Sequence, residues 1–437
     1  MLDIKFIREN KDIVAAGAKK KKSAFDVDAL LALDDKRLAL LKECEEMRAA
    51  QNKMSESIAS TADSDARNKM IAEMKEVKES LQIKDEELKA VMKDWQAVML
   101  KIPNIPSLDT PEGEDESGNV VLRSWGEKPI FDFEPKEHFE IGEALGLLDF
   151  ETATKVAASR YAYIKGDLVR MQFALVQMCL DILTNQDTLE KIAKDSGLSS
   201  VPQKTFVPII PPVFVKPVVQ VKMARFLTPE EHYMFPNDDL MLVGSAEHTL
   251  GPMYMDHIFN EEELPIRYVG YSTSFRREAG SYGKDTKGIL RQHQFDKLEM
   301  EVFSLPEQSV SEQNFLVAIQ EYILQQLNLP YRVVSVCTGD MGFPDYRQID
   351  IETWMPGQNK YRETQSADLT SGFQARRLNT RVKRLDGKIE VVHMNDATVL
   401  AFGRIMIAIM ENFQQADGSI KIPKVLEKYM GKDTISL

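Results

Sequence analysis

Eight apolar residues between positions 70 and 98 restrict the fold of this chain more than any other stretch. Met70, Met74, Val77, Leu81, Leu88, Val91, Trp95 and Val98 step by 4, 3, 4, 7, 3, 4 and 3, the spacing of a heptad seam. From Val27 onward, Leu31, Leu38, Leu41, Met47, Met54 and Ile58 follow a looser version of the same pattern. The polar stretch Ser60-Thr61-Ala62-Asp63-Ser64-Asp65 separates the two. A break that short between two such helices predicts an antiparallel helical hairpin. Each helix, at roughly 35 residues and 1.5 Å per residue, would be about 50 Å long. Two helices have little core of their own, so the hairpin is expected to project from a larger body as an arm. Taken alone, such an arm serves oligomerisation or spacing.

The rest of the chain is long enough to supply that body. With 437 residues, 43% hydrophobic and 28% charged, the composition is that of two or three soluble globular domains. A net charge of −13 argues against indiscriminate nucleic-acid binding, while leaving room for a local basic patch. Cys44, Cys179 and Cys337 form no CxxC pair and the six histidines no HExxH, so no structural zinc is expected. No apolar run approaches the roughly 20 residues that span a bilayer. The N-terminus, MLDIKFIREN, lacks a signal-peptide core, and the compartment expected is the cytoplasm. Residues 2 to 16 read as a short amphipathic helix, and Lys19 to Lys22 as a solvated basic turn rather than a phosphate contact.

Pro103, Pro106, Pro111 and the acidic run from Glu112 to Glu116 mark residues 103–124 as a linker. Beyond it, Val169 to Leu183 reads as a long apolar helix and Phe206 to Val215 as a strand. Further strands are expected at Ile266–Phe275, Gln294–Phe303, Tyr331–Cys337 and Gln348–Trp354, with helices near 311–327 and 403–414. There is no GxGxxG or GxxxxGK[ST], and hairpin-like neighbours dominate over βαβ alternation. The fold class expected is therefore α+β, a mixed and mostly antiparallel sheet flanked by helices behind a helical arm.

The chemistry concentrates in residues 266–299. Two strands enclose a polar loop with Gly280-Ser281-Tyr282-Gly283-Lys284-Asp285 and Gly288, and Arg276, Arg277 and Glu278 leave the first strand together. On the second strand, period-2 alternation puts His293, Phe295, Lys297 and Glu299 on one face. An aromatic ring among charges suits a planar base beside a polyphosphate, since guanidinium groups pair bidentately with phosphate oxygens.

Phe275-Arg276-Arg277-Glu278-Ala279-Gly280, followed by Arg291-Gln292-His293-Gln294-Phe295-Asp296-Lys297, closely resembles motif 2 of the bacterial-type seryl-tRNA synthetases, which are class II aminoacyl-tRNA synthetases. Trp125-Gly126, the stretch from His138 to Phe150, and Phe373-Gln374-Ala375-Arg376-Arg377 resemble that family as well. The resemblance implies an N-terminal tRNA-binding domain over 1–102, the linker, and a catalytic aminoacylation domain over 125–437. It implies that the arm grips the long variable arm of tRNA(Ser), with tRNA(Sec) a further candidate, while the motif 2 loop meets the acceptor end. The stretch from Lys165 resembles the lead-in to motif 1, through which the family forms homodimers, with Pro211 or Pro212 as the motif's proline.

The resemblance also implies the site. The activity would be ATP-dependent activation of serine and its transfer to the 3′ end of tRNA. Arg276 would bridge the α-phosphate and the amino-acid carboxylate, with Arg277 beside it on ATP. Glu278 would lie at the adenine and ribose, Phe295 would stack on adenine, and Arg404 in Leu400-Ala401-Phe402-Gly403-Arg404 would clamp the γ-phosphate. Glu363 and Ser366 would hold Mg²⁺, an ion that takes few protein ligands. Ser245 and Glu247 match the Thr-x-Glu motif that holds the α-amino group, Glu299 would accept from the serine hydroxyl, and Thr398 would sit near the substrate.

The chain departs from the family pattern in two places. Ser245 replaces a threonine, and Asn395-Asp396-Ala397-Thr398-Val399 stands where Leu-Asn-Gly-Ser-Gly is usual, which puts Asp396 at the asparagine position. Asp396 beside Glu247 and Glu299 would crowd three carboxylates, raising at least one pKa if all are buried. The expectation is that Asp396 shares the substrate ammonium with Glu247; the alternative is that it turns toward a basic neighbour. Two other readings of the whole chain are a ligase for another small amino acid and a non-catalytic paralogue. Carrier-protein ligases of this kind lack the long arm, and the retained Arg276, Glu278, Glu299, Glu363 and Arg404 oppose loss of catalysis.

Overall fold

The computed structural model describes residues 1–202, 204–225, 229–278 and 287–437. The loop residues Gly280 to Asp285, expected to meet the tRNA acceptor end, lie outside the described residues. The chain divides into two compact units, Met1–Pro103 and Asn104–Leu437.

The first unit begins with α1 (Ile4–Glu9) and α2 (Lys11–Lys20), so the helix expected over residues 2 to 16 is interrupted at Asn10. Then come α3 (Val27–Ser60) and α4 (Ser64–Met99). Asp26 accepts from the Ala29 amide at 3.0 Å and Asp63 from the Asp65 amide at 3.2 Å, which fixes where both helices start. Contacts between Arg37 and Trp95, Glu43 and Lys84, and Thr61 and Met70 run in opposite order along the two helices, so the pair is antiparallel. The seam of α4 is the one expected, with Leu81, Leu88 and Val91 buried. That of α3 is shifted. Leu38 is 44% exposed, and the buried line runs through Leu30, Asp34, Leu40 and Cys44. Asp34 is tolerated there because Arg8 at 2.6 Å and Arg37 at 2.7 Å neutralise it.

The second unit is built on an eight-stranded sheet. Its strands, numbered along the chain, are β1 (Val120–Trp125), β2 (Val207–Ile209), β3 (Ile266–Phe275), β4 (Gln294–Ser304), β5 (Tyr331–Ser335), β6 (Arg347–Met355), β7 (Lys360–Ser371) and β8 (His393–Ala401). Their spatial order is β1-β5-β6-β7-β8-β4-β3-β2, antiparallel throughout except for the parallel β2–β3 pair. The stretch 103–124 is not a free linker. Asn104 donates to the Pro344 and Thr370 carbonyls, both at 2.9 Å, and β1 pairs with β5 at the sheet edge. The single strand expected over Phe206–Val215 is also divided. Val207–Ile209 joins the large sheet and Phe214–Val215 a small one, because Pro211 and Pro212 cannot donate to a ladder.

Helices α6 (Asp167–Leu183), α7 (Gln186–Asp195), α8 (Ser309–Gln326) and α9 (Phe402–Asn412) bury their apolar faces in the main core with the sheet. A central place makes β4 buried continuously from Lys297 to Ser304. The registers of β4 against β8 and of β6 against β7 each slip by one residue. At the first slip Val399 is the extra residue, and its carbonyl accepts from Gln365 Nε2 at 2.8 Å, while Thr398 comes opposite Glu299. No helix among the described residues is long and apolar enough to cross a membrane.

One charge pair crosses this core. Arg267 on β3 donates to both carboxylate oxygens of Glu312 on α8, at 3.0 and 2.8 Å, and both side chains are fully buried. Removing one partner strands the other charge. Arg267→Met is therefore expected to cost about 3–5 kcal/mol of stability. Arg267→Met with Glu312→Leu should recover most of that loss. Urea denaturation of the three proteins checks both statements; a double variant no more stable than Arg267→Met contradicts them.

Candidate active site

Strands β3, β4, β7 and β8 and the start of α9 bring Arg276, Glu278, Phe295, Glu363, Thr398 and Arg404 around one cavity of about 220 Å³. Antiparallel pairing explains the convergence. The end of β3 lies beside the start of β4, and the end of β8 feeds α9 directly. Arg276 donates from Nε to the Gly244 carbonyl at 3.1 Å, and its guanidinium lies 5.4 Å from the Phe295 ring centre. Arg404 donates to the backbone carbonyl of Glu363 at 3.0 Å and pairs with its carboxylate at 3.0 Å. The surrounding protein opposes charge on Glu363, but Arg404, Arg276 and Lys297 outweigh it and hold this carboxyl below the usual range. Its side chain remains half exposed to the cavity.

Two of the expected residues lie elsewhere. Arg277, next to Arg276 on an extended backbone, points away from the cavity: its guanidinium lies 5.9 Å from the Tyr233 ring centre, and its amide donates to Glu231. Ser366 is outside the lining, and its hydroxyl donates to Asp368 at 2.9 Å. It faces Asp350 across the β6–β7 pair, and Asp350 senses the charge of Glu363.

Ser245, Glu247, Glu299 and Asp396 form a second, buried cluster. Carboxylate oxygens of Glu247, Glu299 and Asp396 all lie within 4.8 Å of one another. Two cations balance them. Lys297 joins the cluster to the cavity, donating to Ser245 Oγ at 3.2 Å and pairing closely with Glu299. Arg225 lies 3.0 Å from Glu247 and 3.5 Å from Asp396. Sequence reasoning missed Arg225 and left Lys297 without a role. The signal available was the excess of acids: three buried carboxylates on neighbouring segments require cations from somewhere.

Electrostatics sorts the acids into different states. Burial opposes ionisation of Glu247, yet Arg225 and a hydrogen bond from Asp396 hold its carboxyl far below the usual range. Burial, reinforced by the charge of Glu247 and opposed by Arg225, pushes Asp396 well above its usual range, which favours its protonated form as the donor of that hydrogen bond. Burial also raises Glu299, opposed by Lys297. Beside Glu247, His248 is driven down to about 3, mainly by burial, and stays neutral while its Nδ1 accepts from the Gly244 amide at 3.1 Å. The three-carboxylate crowding read from the sequence is present, but Asp396 turns toward a basic neighbour, Arg225, and toward Glu247.

Residues 1–106 match the seryl-tRNA synthetase N-terminal domain, and residues 233–413 the class II tRNA synthetase core domain (G, H, P, S and T). A serine--tRNA ligase of Thermodesulfovibrio yellowstonii is 41% identical over 441 aligned positions, covering all of both chains. One from Caldicellulosiruptor saccharolyticus is also 41% identical over the whole of both chains.

The chain belongs to the seryl-tRNA synthetase family.

Among solved structures, the seryl-tRNA synthetase of Pyrococcus horikoshii complexed with ATP superposes with a TM-score of 0.89 at 36% identity, covering 100% of this chain and 99% of that one. The cytoplasmic serine-tRNA ligase of Naegleria fowleri in complex with AMP gives 0.84 at 28% identity, with the same coverage. In this member of the family, the Arg225–Glu247–Asp396 contact joins the departure at Asp396 to a cation from a separate segment of the chain.

The state of Asp396 has a measurable consequence. A carboxyl whose pKa is raised by folding contributes stability below its unfolded value, near 3.9, and loses it as pH rises toward the folded value. Asparagine keeps a donor toward Glu247 and has nothing to ionise. The stability of Asp396→Asn relative to the unsubstituted protein should therefore increase as pH rises from about 4 toward neutrality. Urea midpoints at several pH values check this, and a difference that stays flat with pH contradicts it.

Proposed function

We propose that this protein activates serine with ATP and transfers it to the 3′ end of tRNA(Ser). The observation that carries the proposal is the juxtaposition of two sites on one sheet. A cavity with Arg276, Arg404 and Phe295 adjoins a buried carboxylate cluster through Lys297. Two anions, the serine carboxylate and the α-phosphate, must meet for activation, and fixed positive charge lowers that barrier. The carboxylate oxygen attacks the α-phosphorus, the bond to pyrophosphate breaks, and seryl-adenylate forms. The terminal ribose hydroxyl of tRNA then attacks the activated carbonyl and releases AMP.

Each residue takes a role from its place. Arg276, held by the Gly244 carbonyl, lies between the two parts of the site and neutralises both anions. Phe295 and Glu278 receive the adenine and ribose, and Arg404 the outer phosphates. Glu247, ionised, takes the substrate ammonium, and Glu299 accepts from the serine hydroxyl. A small alkyl side chain would supply no donor to the lone pairs of Glu299 that Lys297 and Ser245 leave open, a cost of about 1–3 kcal/mol. Asp396 acts through Glu247, as a donor that fixes it. Glu363, ionised and open to the cavity, fits a hard divalent cation, while Ser366, outside the lining and donating to Asp368, would have to turn toward it to add a second oxygen. Mg²⁺ held there would neutralise phosphate charge.

The arm is proposed to grip the long variable arm of tRNA, and residues 1–102 to act as the tRNA-binding domain of a cytoplasmic homodimer. Exposed apolar side chains on α6 and the small sheet, Phe173 and Phe214 among them, support a covered face between copies of the body. Two variants separate the halves of the function. Arg276→Ala should lower serine-dependent pyrophosphate exchange at least a hundredfold, equivalent to about 3 kcal/mol. Deletion of residues 30–99 should leave exchange within a few-fold of normal and abolish tRNA charging. A folded deletion protein without exchange, or one that still charges tRNA, contradicts the assignment of the arm.

A further inference from the structure

The return limb of the 276–291 segment forms one wall of the cavity, through Ile289, Leu290 and Arg291. Unlike the opposite wall, which is strand, this limb is irregular backbone and needs something to hold it. The nearest holder is His138, the first residue of α5 (His138–Ala144). The Ile289 amide donates to His138 Nε2 at 3.1 Å. On the other side of the ring, Nδ1 lies 3.1 Å from Glu411 Oε1 on α9. Because Nε2 accepts, the ring proton must sit on Nδ1 and point at Glu411. Glu411 is itself fixed by the amides of His138 and Gly357, at 3.2 and 3.0 Å, and by Gln358 Nε2 at 3.3 Å.

Steric contacts give the same arrangement independently. Gly288 has φ +78°, and a Cβ there would come 1.9 Å from His138 Nε2. The backbone can lie against the imidazole only because position 288 has no side chain. One residue on, a Cβ at Gly403 would lie 2.9 Å from the Ile289 carbonyl. The limb is thus pressed between the imidazole and the start of α9, next to Arg404. Both His138 and Glu411 are buried, and neither lines the cavity.

We infer that His138 is a positioning residue for the nucleotide: held by Glu411, it fixes the Gly288–Ile289 backbone as a wall of the ATP cavity. This rests on reading that cavity as the ATP site. The two nitrogens allow a crossed test in the full chain. His138→Asn places an amide where Nδ1 was, keeping a donor for Glu411 and losing the acceptor for Ile289. His138→Gln places its amide near Nε2, keeping the acceptor and losing the donor to Glu411.

Michaelis constants for ATP and serine in pyrophosphate exchange, together with the melting temperature, read out the difference. His138→Asn should melt close to the unsubstituted protein but raise the KM for ATP about tenfold, with the KM for serine within twofold. His138→Gln should melt lower while keeping the KM for ATP within about threefold. If the KM for ATP follows the melting temperature in both variants, or both KM values rise together, His138 is merely structural and the inference fails. Absence of serine-dependent exchange in the unsubstituted protein would instead overturn the reading of the cavity, and this inference with it.

Discussion

The central strands of this protein carry more buried acid than a folded core can hold unassisted. Glu247, Glu299, Glu301, Asp368 and Asp396 all sense one another's charge directly or through a shared neighbour, and Arg225 and Lys297 are the cations set among them. A buried isolated carboxylate is too costly to persist, so each acid must pair, accept a hydrogen bond or take up a proton. Arg225 holds Glu247 low, Lys297 matches Glu299, and burial with the charge of Glu247 raises Asp396, which favours its protonated form beside Glu247. Glu301, opposite Asp396 on the neighbouring strand, is pushed far above its usual range by burial and then by Glu247. The site exists because the sheet brings the acids together and because two cations decide which of them keeps its charge.

That balance explains the division between the two parts of the site. The cavity lining is open and carries Arg276, Arg291, Lys297 and Arg404 against two acids, Glu278 and Glu363. The cluster of Glu247, Glu299 and Asp396 is anionic and buried. Lys297 stands at the boundary, lining the cavity while it contacts Ser245 and Glu299 of the cluster, and a one-residue slip in the β4–β8 register sets Thr398 against Glu299 there. The surrounding scaffold is correspondingly stiff: Gln313, Gln320 and Gln365 donate to the Ala367, Thr398 and Val399 carbonyls, which fixes the backbone beneath the acids.

Much of this was legible in the sequence where a local period reports a local environment. The heptad steps of Met70 to Val98 and the break at Ser60–Asp65 gave two helices within a residue or two of their ends. The β-branched run at Ile266–Phe275 matched its strand at both ends. Legibility failed where a partner distant in sequence decides. Asp34 lies in the α3 seam because Arg8 and Arg37 reach it, so a search for apolar residues picked Leu38 instead. Edge pairing of Val120–Trp125 depends on Tyr331–Ser335, not on the prolines and acids before it. Arg225 follows an unremarkable short helix, and nothing nearby reveals that it meets Glu247 and Asp396. The family resemblance supplied Arg276, Phe295 and Arg404 directly, but no resemblance marks a charge that appears only at a departure from the pattern.

The account stands on one chemical claim, that the anionic pocket beside the ATP cavity is built for a small hydroxylated amino acid. Amino-acid-dependent pyrophosphate exchange with the full-length protein, run separately with each of the twenty standard amino acids, tests it most directly. The account predicts strong exchange with serine and at least a hundredfold less with alanine and glycine, because neither brings Glu299 the additional hydroxyl donor. Exchange driven as well by alanine as by serine, or by an amino acid lacking a hydroxyl, would contradict it.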